Sequence, residues 1–413
     1  MGNAGFSGEK SYDDKLNPDE NYRLLALFRY WNVINYFFPY KYVIGEEWNQ
    51  ALDDLIPVFE RADSASTYQH ALFQMVARIH DGHGFLRNIN KTVGLRMELG
   101  HYWVPFDVKI IDGKAVIISF LNDSLAAVNG LEKGMVVTKI DGQSIPDRVT
   151  NLRPFVSASN ESSLLRDVRQ LMFVGPTPNV TLTLVQDGQE QTKNVARYPY
   201  FVFRDQFQRR VRIPKAPCRW VSDSVGYVDM GHLKHRHVDS VMNAFKLAKA
   251  LIFDLRNYPN GTLFAVAAHL NFQPKPMGQL VRPHRGFPGL FEPLRMVYAG
   301  SRNSNPYKGQ VLVLVNEETQ SQAEFTAMAF QTAEWALTVG SETAGADGDI
   351  TWIPLPGGYQ TAMSGLGVYY PDGRETQRIG IVPDIEVRPT IKGILAGHDE
   401  VLDKAIDVAK AAN

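Results

Sequence analysis

The sequence predicts an α/β protein in which a helical segment and a β-rich segment precede a larger layer with a mostly parallel sheet. Three observations carry that reading. Residues 198–400 alternate apolar strand-like runs with helical ones, the pattern of a parallel sheet covered by helices. Residues 100–197 hold short β-rich runs separated by turn signals. From Asp19 to about Ile79, apolar residues recur at helical spacing. The expected divisions are a leader over 1–18, a helical domain over 19–98, a small β domain over 99–197 and the α/β core over 198–413.

Each part has its own warrant. The leader is rich in Gly, Ser, Asp and Lys and is expected to be disordered. Leu24, Leu25, Leu27, Phe28, Trp31, Val33 and Ile34 share a broad apolar helical face, and Leu52, Leu55, Ile56 and Phe59 share another. The cluster Tyr36-Phe37-Phe38-Pro39-Tyr40 is expected to pack in the core and adjoining loop. In the β segment, strands are expected at Val104–Ile111, Ala115–Phe120, Val136–Ile140 and Val180–Val185, with turns at Asp112-Gly, Asp141-Gly and Asp187-Gly. Ser124–Val128 and Ser162–Leu171 are its expected helices. In the core, Ser224–Met230, Ala250–Leu255, Gln310–Val315 and Ala336–Val339 read as strands. Val238–Ala248, Leu263–Leu270 and Gln322–Trp335 read as helices.

Bulk properties exclude several functions. The 413 residues suffice for two or three domains, and 44% hydrophobic with 21% charged residues is ordinary for a globular protein. A net charge of −1 without a long basic run argues against nucleic acid or an anionic membrane surface as partner. The single cysteine, Cys218, can form no intramolecular disulfide and no cysteine-based structural zinc site. No apolar h-region opens the sequence and no run is long enough to span a bilayer. The expected location is therefore the cytoplasm, or another compartment if the first residue follows a processed leader.

Four segments could carry chemistry. Val311-Leu-Val-Leu-Val315 runs into Asn316-Glu-Glu-Thr-Gln-Ser321 and then an apolar helix. A serine at such a strand-to-helix turn has its hydroxyl held up at the end of a sheet, beside the free N–H groups of the helix start. That arrangement suits a nucleophile and the oxyanion it creates, although an N-cap is the commoner role. No lysine lies between Lys308 and Lys392, so a base for Ser321 must come from elsewhere. The second segment, Arg78-Ile-His80-Asp81-Gly82-His83-Gly84, has two histidines around an aspartate but no nearby cluster of further ligands, so no metal site is expected. In the third, Ile252-Phe-Asp254-Leu-Arg256-Asn-Tyr-Pro-Asn260-Gly261, an apolar strand ends in a polar turn. Its amides could face a ligand, or its Asp–Arg pair could serve folding alone. The fourth comprises Gly340-Ser-Glu-Thr-Ala-Gly345-Ala346, Tyr370-Pro-Asp-Gly373 and Gly380-Ile-Val-Pro-Asp384.

In this order and spacing, over roughly residues 20–395, the segments resemble the tail-specific, or C-terminal processing, serine peptidases. The Gly130-Leu-Glu-Lys-Gly134 and Val136–Gly142 stretch resembles a PDZ domain, a module that binds chain ends by adding a strand to its sheet. The resemblance implies a crotonase/ClpP-like α/β core with an inserted PDZ-like domain and a helical N-terminal domain. It also implies a serine endopeptidase acting near polypeptide C-termini, with Ser321 as nucleophile. The oxyanion hole would be the N–H of Gln322 and that of Asn260 or Gly261, and no cofactor is implied. The Ser–Lys branch places its base twenty-five residues past the serine, where this chain has Ala346. A second branch resembles the tricorn protease core and takes a histidine from upstream of the PDZ segment, which matches His83. The serine that precedes it there is Gly82 here. The branch's distal glutamate aligns with Glu375, or the motif shifts onto Gln377. A competing reading, motivated by Ala346, Gly82 and Asn260, is an inactive PDZ-containing scaffold that binds peptides. Ester or thioester hydrolysis on the same core is a third. For a form whose signal peptide has been removed, the family implies the bacterial cell envelope.

Overall fold

The computed structural model describes residues 2–15, 17–88, 98–186, 188–203, 216–284 and 286–411. Asp187 of the expected Asp187-Gly turn, and residues 89–97 before the expected boundary at 98/99, lie outside them.

A six-stranded sheet forms the core, ordered Cys218–Ser222, Val225–Asp229, Ala250–Asp254, Gln310–Val315, Ala336–Gly340 and Ile385–Glu386. The first pair is antiparallel and every later pair parallel. Ala250–Asp254 is buried throughout, as is Val311–Val315, which is why these strands read as continuous apolar runs rather than alternating ones. Leu263–Leu270 and Gln322–Phe330 pack on one face with Leu251, Phe253, Val311 and Val313. Glu400–Ala411 covers Ile252, Leu312 and Leu314 on the other.

Residues 106–196 form a second, antiparallel sheet of Phe106–Ile111, Lys114–Phe120, Val136–Ile140, Asn179–Gln186 and Gln189–Ala196. Asp112-Gly113 and Asp141-Gly142 both take positive φ at each residue, the conformation that tight two-residue hairpins require. Helices Glu20–Phe37, Trp48–Glu60 and Ala65–Ala77 share one hydrophobic core with this sheet and with the Ile350–Leu355/Tyr359–Ser364 hairpin.

Three expectations need correction. The leader is ordered: Ser11 and Tyr12 carbonyls accept from Gly358 and Gly357, Asn3 donates to Ile350, and Phe6 packs edge-on against Phe37. Its groups find partners both in the first helix, as Phe6 does at Phe37, and more than three hundred positions away, as Asn3 does at Ile350. The helix after Ser321 stops at Phe330 rather than Trp335, where the Thr332 hydroxyl takes the Ala329 carbonyl. The hairpin of Lys275–Pro283 and Phe291–Ala299 was not expected from the alternation.

Candidate active site

Ser321 stands between the Gln310–Val315 strand and the Gln322–Phe330 helix with φ 57° and ψ −121°. Among the described residues, the polar N-caps whose side chains bond the helix start, Asp19, Ser64, Asn122, Ser144, Asn160 and Thr390, have negative φ and extended backbone. A non-glycine residue in this region costs roughly 1–3 kcal/mol and persists only where its surroundings impose it. Glu324 imposes it here. Fully buried, its carboxylate accepts from Ser321 N–H (3.1 Å), Thr343 Oγ1 (2.5 Å), Gly345 N–H (2.8 Å) and Ala346 N–H (3.1 Å). Ser321 N–H also donates to the Ala346 carbonyl at 2.9 Å. Burial pushes the Glu324 carboxyl up, against the pull of these donors.

Beside the turn lie two candidate oxyanion donors. The N–H groups of Gln322 and Gly261 have no acceptor among the described residues, whereas Asn260 N–H donates to the Met230 carbonyl at 3.4 Å. Gly261 takes φ 70°, and a Cβ there would stand 3.2 Å from the Gln322 side-chain nitrogen, so the Gln322 side chain reaches the Gly261 turn. Asp254 is held by Arg256 and Tyr227, and Arg256 reaches on to Asp399. The Asp–Arg pair of this turn therefore has a folding role.

His83 is buried, and its position follows from strand register. Leu86, Arg87 and Asn88 pair antiparallel with Thr361, Gln360 and Tyr359. Continued three residues, the same register sets His83 opposite Ser364, and His83 Nδ1 lies 2.8 Å from Ser364 Oγ. Ser364 Oγ is 2.9 Å from Asp81 Oδ1, and its N–H donates to Asp81 Oδ2 at 2.5 Å. Since a carboxylate only accepts, the serine hydroxyl donates to Asp81 and accepts from Nδ1–H. This tautomer leaves Nε2 with its lone pair, and Nε2 has no hydrogen-bond partner among the described residues. Burial pushes the imidazole below its usual 6.5, Asp81 and Asp349 oppose that shift, and Arg166 adds to it.

The His83 loop docks directly on the Ser321 turn. Gln320, the residue before the serine, donates from its side chain to the Gly82 carbonyl at 3.0 Å. A Cβ on Gly82 would lie 3.0 Å from the Ala346 methyl, so two of the three positions that depart from the family patterns are in contact. Ser157 and Ser159 brace the loop from the second sheet's side, through Asp81 and Gly82.

Glu375 lies elsewhere. It bridges to Tyr369 and faces the Tyr42 hydroxyl, with no hydrogen bond to His83. Gln377 instead donates to Asp81 Oδ1 at 3.3 Å. Sequence reasoning did not pick out Ser364 or Glu324. The spacing Ser321-x-x-Glu324 carried a signal for the second, because a carboxylate three residues past a helix start can reach back to the N–H there. No local signal marks Ser364.

The arrangement defines a mixed α/β protein with a strained serine at the carboxyl end of a parallel sheet and a polar chain leading to a histidine from another part of the fold. Residues 224–387 match Peptidase family S41. The chain is 22% identical over 394 residues to a tricorn protease homolog of Streptomyces coelicolor, covering 88% of this chain and 30% of that protein. It is 24% identical over 299 residues to the carboxy-terminal-processing protease of Bartonella bacilliformis, covering 70% of this chain and 62% of that one. The chain thus spans less than two thirds of these relatives' lengths. Mature CPAF complexed with lactacystin shares the fold, with a TM-score of 0.72 at 15% identity over 95% of this chain and 99% of that one. Among the described residues no helix is long and apolar enough to cross a membrane.

Proposed function

We propose that the protein is a serine endopeptidase that cleaves polypeptides near their C-termini, with Ser321 as nucleophile and His83 as general base. The supporting observation is the chain Asp81–Ser364–His83, which ends in an unpartnered Nε2 on a loop docked against the Ser321 turn. Ser321 Oγ attacks the scissile carbonyl carbon and passes its proton to His83 Nε2. The carbonyl oxygen, now negative, sits between the N–H groups of Gln322 and Gly261. As the C–N bond breaks, Nε2 returns the proton to the leaving nitrogen. Water then repeats the sequence on the acyl-enzyme. Ser364 and Asp81 hold the imidazole in the tautomer this requires.

On this reading the residue 106–196 sheet is the PDZ-like domain inserted before a crotonase-like core. Among the described residues its edge strand Phe106–Ile111 pairs on one side, with Lys114–Phe120, and helix Glu161–Leu171 packs beside it; a substrate chain end could add at the other edge. The test is reaction of Ser321 with a fluorophosphonate probe. Labelling should vanish in Ser321→Ala and fall steeply in His83→Ala. An unmodified Ser321 in the native protein would count decisively against the proposal and favour a peptide-binding scaffold.

A further inference from the structure

A cleft of ≈450 Å³ opens beside the His83 loop and is not used by the chemistry above. Phe73, Val76, Phe85, Phe155 and Leu171 form its apolar walls. Gly82 and Gly84, which flank His83, and Gln320, which precedes Ser321, form the side nearest the reacting groups. Its size falls in the range of ligand pockets, roughly 300–1,000 Å³. Phe85 is 42% exposed, so large apolar surface is left open at the rim.

The polar groups around this cleft are already engaged. The Arg166 guanidinium is spent on Asp167 and the Glu317 carbonyl, Ser157 Oγ on the Asp81 backbone, and the Gln320 amide on the Gly82 carbonyl. A charged side chain entering here would lose water against walls that are mostly apolar, whereas an apolar one would bury surface without that cost.

Direction follows from the proton path. His83 hands its proton to the leaving nitrogen, so that nitrogen, and the chain that continues from it, must pass on the histidine's side of the scissile bond. The cleft is lined by both neighbours of His83 and by the residue before Ser321. The candidate oxyanion amides lie after Ser321, at Gln322, and at Gly261. We infer that this cleft is a leaving-group subsite that selects substrates carrying a large apolar side chain just C-terminal to the cleaved bond. The inference rests on the serine-peptidase reading and adds to it where specificity is set.

Acyl transfer isolates this subsite, because an amine that attacks the acyl-enzyme must occupy the leaving-group side. Ser321 is acylated with an ester, and its partition between water, glycinamide and phenylalaninamide is measured. Phenylalaninamide should capture the acyl group about 10-fold better than glycinamide. Phe155→Ala and Phe85→Ala should each reduce that preference about 3- to 10-fold, read as the ratio of the two amides captured by the same acyl-enzyme. Equal capture of both amides, or a preference unchanged in both variants, overturns the assignment. Failure of the underlying reading looks different: mass spectrometry then finds no acyl group on Ser321 with any ester, and both proposals fall.

Discussion

Replacing Ser364 by alanine tests the polar chain behind His83 while sparing the fold. The substitution removes only Oγ. The Ser364 N–H bond to Asp81 Oδ2 remains, and Asp81 Oδ1 keeps the His83 N–H and the Gln377 side chain. What is lost is the acceptor for His83 Nδ1–H at 2.8 Å, and with it the link that selects the reactive tautomer. A hydrogen bond coupled to a charged group is worth roughly 1.5–3 kcal/mol, and about 1.4 kcal/mol is tenfold in rate. Fluorophosphonate labelling of Ser321 and peptide kcat/KM should therefore each fall about 10- to 150-fold. The assay is run from acid to mildly alkaline pH. With burial holding the imidazole below 6.5, the parent's activity should rise with pH along a limb whose midpoint lies below that value. Asp81→Asn removes the charge that opposes the downward shift, so the rising limb should move to still lower pH even as the plateau drops. A Ser364→Ala protein that labels at the parent rate across the pH range would refute the reasoning.

Further outcomes follow from the same site. Glu324→Gln turns one acceptor oxygen into a donor facing N–H or O–H groups. Thermal and denaturant unfolding should show a loss of about 1–3 kcal/mol or more, and Ser321 labelling should collapse; a fully stable, reactive variant contradicts the clamp. Ala346→Lys forces a long side chain into a fully buried position against Gly82, so melting should show a loss of at least about 1–3 kcal/mol. Peptidase activity should not rise, and a gain would mean that the lysine dyad is still accessible. Asp347 is buried with Oδ2 unpartnered among the described residues, and burial followed by Glu324 raises its pKa well above normal. Its folded-state pKa exceeds its unfolded one, so its contribution is favourable in acid and is lost as pH rises through the raised value. Asp347→Asn should thus gain stability over the parent increasingly as pH rises, seen as diverging melting temperatures; parallel curves would refute the assignment.

Much of the frame was legible because it repeats locally. The Asp112-Gly113 and Asp141-Gly142 turns, the apolar run at Val311–Val315 and the helix from Gln322 each depend on neighbours in sequence. The leader was read as disordered because its composition is polar, and composition carries no information about a distant hairpin able to hydrogen-bond with it. The Lys275–Ala299 hairpin was missed for a related reason: its pairing partners include Gly367–Tyr369, far along the chain.

The sequence by itself determined where a nucleophile could stand, because a buried strand, a serine and a helix in succession leave few conformations for the residue between. It also excluded a lysine base in that neighbourhood, since none occurs between Lys308 and Lys392. Only the tertiary structure decided what stands behind His83. Ser364 is 281 residues away and reaches the histidine because one antiparallel register carries through from Leu86–Asn88. Likewise, only packing decided that Ala346 and Gly82 meet. Long-range register and contact between distant segments leave no periodic trace in either segment alone, so the serine's place between strand and helix was legible in the sequence, and its strain and polar chain were not.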